Sequence, residues 1–238
     1  MDYNYGYHPI SGKIHFLNRR NRVGGLFGQY QEDKCQFIRK EISYIYQATK
    51  ETFCVIGSPE LLEREFRQIE GCKTHMTLLS SAQFEKRKVN LLAIDTNITE
   101  SPCIHLRHYL EKVKSVAENY QNIPHAYIYF CESDKYFKDA YAQEPFFQLI
   151  SQLNAIGWTV TYSSKSIRLL SETQYGKALI MITAFMVLFR MEYGSRTRFQ
   201  SLYEISDDYI QYIMNNQECQ STGLIRKDTG FSFEPFRK

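Results

Sequence analysis

The residues that could act on a phosphate are one serine, one aspartate and a scattered set of cations. Ser58 follows the apolar run 53–57 (FCVIG) and precedes an amphipathic stretch carrying Leu61, Leu62, Phe66 and Ile69 along one side. A hydroxyl presented at a strand-to-helix turn can attack a phosphodiester and hold the broken strand covalently. The same Ser58-Pro59-Glu60 is also what a helix N-terminus requires: a capping hydroxyl, proline at the first helical position and a carboxylate in the first turn. Asp134, Lys135 and Lys138 follow the aromatic run 125–131 (HAYIYFC), placing two ammonium groups beside a carboxylate. Arg190, Arg196 and Arg198 follow the apolar run 178–189, and Arg19, Arg20 and Arg22 cluster near the start of the chain. The last three read either as an arm that contacts phosphates or as a solvated basic loop.

The elements that must position these groups follow from hydrophobic spacing. Residues 31–50 place Cys35, Ile38, Ile42 and Ile45 or Tyr46 on one helical face. Residues 53–57, 89–94, 125–131 and 157–162 read as buried strands, and 103–119 as a helix. Strands alternating with helices indicate an α/β domain with a mainly parallel sheet of four or more strands. Residues 178–189 are apolar almost throughout, which in a helix requires burial on all sides. The run is too short to cross a membrane, and its second half turns cationic. A single helix over 176–199 would pack against a partner with its first half and meet an anion with its second.

That helix, with the segment before it, resembles the catalytic domain of serine recombinases, the resolvase and DNA-invertase family. The likeness rests on Gly176-Lys177, Arg190 and Arg196-Thr197-Arg198 in ITAFMVLFRMEYGSRTRFQS, over residues 127–201. It implies Ser58 as nucleophile, Asp134, Lys135 and Lys138 at the family's Asp-Arg-x-x-Arg, and Arg190 and Arg196 in support of the active site. Asp95, with His105 or Arg107, would fill the family's acidic and basic positions after the second strand. The sequence departs from the family at Ile56, where an arginine is expected, and at Phe189 and Ser195, where glutamates are expected. Ser133 in YFCESD offers a competing register that would bring the long helix in too early. The resemblance implies a homodimer or higher oligomer built on the 176–199 helix and a DNA partner, with strand cleavage impaired or absent. The alternative is an interaction protein that keeps the fold and the dimer helix but has left DNA.

At 238 residues, 43% of them hydrophobic, the chain can bury one sizeable core, and its 18 Tyr and 16 Phe exclude a disordered polymer. The expected division is an N-terminal extension (1–50) with one helix, an α/β domain (51–201) and a short helical tail (202–238). No helix-turn-helix module follows the long helix. Six cysteines (35, 54, 72, 103, 131, 219) form no C-x-x-C pair and no zinc spacing, so reduced thiols in the cytoplasm are expected. His105 and His108, three apart, lack a third ligand. No signal peptide, membrane association, metal or cofactor is expected.

Overall fold

A computed structural model describes residues 3–7, 11–12, 14–17, 19–72, 76–79, 85–93, 125–215, 222–226 and 233–237. The strands are β1 (Tyr3–Tyr7), β2 (Ile14–Leu17), β3 (Val23–Phe27), β4 (Thr52–Gly57), β5 (Met76–Leu79), β6 (Val89–Ala93), β7 (Ala126–Phe130), β8 (Thr159–Ser164), β9 (Thr183–Leu188), β10 (Thr222–Arg226) and β11 (Glu234–Arg237). The helices are α1 (Gln31–Thr49), α2 (Pro59–Phe66), α3 (Asp134–Lys138), α4 (Ala140–Ala155), α5 (Ile167–Ser171), α6 (Gln174–Ile182), α7 (Tyr193–Tyr203) and α8 (Asp207–Asn215).

All the strands join one sheet of order β2-β1-β11-β10-β9-β3-β8-β7-β4-β6-β5. From β9 to β5 every pairing is parallel, and from β9 outward to β2 every pairing is antiparallel. Strands covered on both faces need apolar residues throughout, and β4 (TFCVIG) and β7 (AYIYF) are buried at every position. Successive residues still face opposite ways. Phe53 and Val55 join a core with Ile38, Ile42, Ile45, Leu62 and Phe66 of α1 and α2. Cys54 and Ile56 join a second core with Phe146, Leu149, Trp158, Leu179 and Phe199, under α4, α6 and α7.

The α/β class with a mainly parallel sheet therefore stands, but the long dimerisation helix does not form. The run 176–199 is cut into the end of α6, strand β9 and the start of α7. Five of the six β9 residues are fully buried between β3 and β10, so the second half of the apolar run is covered by its own sheet, while Met181 and Ile182 at the end of α6 stay exposed. Residues 1–50, expected as an extension, supply β1, β2, β3 and α1, and the expected helical tail supplies β10 and β11 besides α8. Asp95, His105, Arg107 and His108 lie outside the described residues.

Candidate functional site

In an open α/β sheet, ligands bind in the crevice outside the carboxyl ends of the strands, where strand order departs from chain order. Here the chain leaves β3 through α1 and returns as β4 three places away, with β8 and β7 inserted between. The carboxyl edge thus gathers Gly28 after β3, Ser58 after β4, Cys131 and Glu132 after β7, Ser164 at the end of β8 and Arg190 after β9.

The turn from β3 into α1 contains only Gly28, Gln29 and Tyr30. Gly28 passes so close to the chain after β9 that a Cβ there would stand 2.8 Å from the Phe189 Cβ. Its N–H donates to Ser164 O (3.2 Å), and the Gln29 N–H donates to Arg190 O (2.8 Å). From the first turn of α1, Lys34 folds back beneath this loop. Its Nζ donates to Gly28 O at 2.5 Å and to Ser164 O at 3.4 Å. Burial lowers the Lys34 pKa from 10.5 to about 8, with Asp134 pulling the other way.

The next residue, Cys35, accepts from Gln31 Nε2 at 3.7 Å, and both it and Cys131 are fully buried. The neighbouring Cys35 and burial hold the Cys131 thiol well above its usual range, so it is a neutral group. Glu132 adopts φ 58°, a left-handed conformation uncommon outside glycine and costly enough to mark a site. Its backbone N–H donates to Ser163 Oγ, and its carboxylate accepts the Ser58 N–H at 3.3 Å. Asp134 accepts from Ser164 Oγ (2.5 Å) and from the Lys165 N–H (2.9 Å), pinning the start of α3 to the end of β8.

Residues 28–35, GQYQEDKC, match the phosphate-cradling pattern G-x-x-x-x-G-K-[ST] at Gly28 and Lys34 and depart from it at Asp33 and Cys35. Such loops hold Mg²⁺ through the hydroxyl after the lysine and through an aspartate at a strand end. In this chain those two positions carry Cys35 and Cys131. Mg²⁺ demands hard oxygen ligands, so a pair of buried sulfurs does not fit it.

Sheet order and the strand-turn-helix at Gly28 make up an α/β fold that several solved structures share. Solved structures that share it include VirB4 of Thermoanaerobacter pseudethanolicus, with a TM-score of 0.78 and 7% identity over 98% of this chain and 95% of that one. The genome packaging NTPase B204 of Sulfolobus turreted icosahedral virus 2, in complex with AMP, superposes with a TM-score of 0.60 and 13% identity over 93% of this chain and 98% of that one. The cytoplasmic domain of the Type VII secretion ATPase EccC of Thermomonospora curvata gives 0.60 and 10%, over all of this chain and 26% of that one. The sequence matches no family model and no curated protein.

These likenesses overturn the resemblance to serine recombinases, and with it both the recombination reading and that of an interaction protein on a recombinase fold. The match had treated α6, β9 and α7 as one helix. Ser58 is the N-cap of α2, its Oγ accepting the Leu61 N–H at 3.4 Å. Asp134 and Lys135 do reach the carboxyl edge, while Lys138 is exposed at the end of α3. Arg19 is no free arm: it is fully buried and paired with Glu41 at 2.5 Å. Arg20 pairs with Glu51 at 3.4 Å near the surface, and Arg22 is half-buried. Arg190 is half-buried after β9 and meets the turn through its backbone oxygen. Arg196 stacks over Tyr193, 4.5 Å from the ring centroid. Arg198 donates to Ser171 Oγ at the rim of a separate cleft of about 570 Å³ between α5 and α7. The residues that sequence reading missed are Gly28, Lys34, Cys35, Cys131 and Glu132. The signal for them was the half-preserved pattern at 28–35 and the Cys-Glu step after a strand of apolar residues.

Proposed function

We propose that the chain is a nucleotide-binding subunit of a macromolecule-moving ATPase assembly, with its nucleotide seated over Gly28–Cys35. The observation that carries this is the joint placement of Gly28 on the β3–α1 turn and Lys34 in the first turn of α1, at the carboxyl edge beside the left-handed Glu132. The names of its structural neighbours describe genome packaging and secretion, and this chain is read as working in that class. Nucleotide entry displaces Lys34 from Gly28 O and Ser164 O and brings its ammonium to the phosphates. Glu132 is placed to orient a water, but the two metal-holding positions carry thiols, so turnover is slow and binding is the main event. Reduced, buried Cys35, Cys54, Cys72 and Cys131 suit a cytoplasmic setting.

The test is fluorescent ATP-analogue binding together with phosphate release, comparing wild type with Lys34→Met and Glu132→Gln. The reading expects saturable binding that Lys34→Met abolishes, and slow release that Glu132→Gln removes while binding persists. Binding indifferent to Lys34→Met would refute the assignment.

A further inference from the structure

An ammonium group lies buried at this edge without a hydrogen-bond acceptor. Lys135 Nζ has no such partner among the described residues; its close companion is the Tyr136 ring, 5.6 Å from Nζ to centroid. Burial pushes the Lys135 pKa below its usual range, with Glu132 the leading opposing charge. A charge taken out of water without a close counter-ion is costly, so the position favours an incoming anion. Nearby carboxylates are already engaged: Asp134 by Ser164 and the Lys165 N–H, and Glu132 by the Ser58 N–H. Lys34 donates to two carbonyl oxygens, with Asp134 as its leading opposing charge. Between α1 and β7, meanwhile, Cys35 and Cys131 close the place where the fold's usual donors would hold a metal.

We propose that the site takes the phosphate chain of a nucleoside polyphosphate without Mg²⁺, with Lys34 and Lys135 as the cations that meet it. The inference rests on the nucleotide reading above and specifies what that site requires. Two lysines at the strand ends supply positive charge where a divalent ion would otherwise do so. Two buried sulfurs stand at the metal position in place of oxygen donors, and a metal–nucleotide complex gains nothing there over the free nucleotide.

The experiment is isothermal titration calorimetry of the full chain with a non-hydrolysable ATP analogue, in EDTA and in excess Mg²⁺. Equal affinity in the two buffers is expected. Lys135→Met is expected to weaken binding by about tenfold or more in both, the scale of one charge-assisted hydrogen bond. This variant removes a buried charge, so it should fold, and circular dichroism checks that it does. Cys35→Thr with Cys131→Asp rebuilds oxygen donors and should make Mg²⁺ strengthen binding. If wild type binds only with Mg²⁺, or Lys135→Met leaves affinity unchanged, the metal-free proposal falls while the nucleotide reading survives. If no heat appears in either buffer, both fall.

Discussion

Removing the Glu41 carboxylate should unbalance the interior of this protein more than any surface change. Arg19 precedes β3 and reaches Glu41 on α1 at 2.5 Å, with both side chains at or below 1% exposure. The guanidinium also donates to Thr161 Oγ1 on β8 and lies over the Phe185 ring of β9, 4.3 Å from its centroid. One side chain thus ties α1 to the three strands at the centre of the sheet. Glu41→Ala strips the counter-charge from a buried cation, and breaking such a pair costs about 3–5 kcal/mol. The remaining hydroxyl and ring contacts can return about 1 kcal/mol of that, leaving a loss of about 3 kcal/mol in urea-monitored unfolding. Replacing both partners, Arg19→Met with Glu41→Leu, leaves no orphaned charge and should cost clearly less than Glu41→Ala alone. A Glu41→Ala loss within about 1 kcal/mol, the value of a surface pair, would refute the buried pairing and return Arg19 to the role of a free basic arm.

Three further outcomes can be measured. Because burial lowers the Lys34 pKa to about 8, the unfolded chain binds more protons there between about pH 8 and 10.5. Stability from this group therefore rises with pH across that window, by up to about 3 kcal/mol, and denaturant titrations of Lys34→Met should lack the rise. Ser58→Ala should cost about 1 kcal/mol through the lost cap of α2, while nucleotide affinity stays at the wild-type value in the same calorimetric assay. If DNA is the macromolecule this chain works on, its affinity should fall linearly with salt on a log–log plot, as released counterions require. Salt-independent retention would point to another partner.

Much of the sheet was legible from residue type. β4, β6, β7 and β8 announce themselves as short apolar runs, and α1 by the spacing of Cys35, Ile38, Ile42 and Ile45. β9 was misread because a short run buried on all sides looks alike as a helix or as a central parallel strand. The switch falls at Thr183, whose hydroxyl donates to Leu179 O at 2.7 Å as α6 gives way to β9. β3 stayed hidden because VGGLF carries two glycines, which weaken a strand signal. Their reason is tertiary: a Cβ on Gly25 would stand 2.6 Å from the Phe27 ring, and one on Gly24 3.0 Å from both Arg19 and Phe185. With β3 unseen, Gly28 and Lys34 had no strand before them. Asp33 and Cys35 had also erased half of the pattern that would have marked the loop. Cys131, read as one more structural thiol, acquires meaning only when the sheet brings it against Cys35.

The most direct test of the central claim is amide hydrogen exchange of the full chain with and without a saturating ATP analogue, resolved by peptide. The account predicts slowed exchange confined to the segments around 28–35 and 131–135, with the 28–35 protection lost in Lys34→Met. Protection elsewhere, for example only at the α5–α7 cleft lined by Arg168, Tyr193 and Arg198, or no change at 28–35, would contradict it.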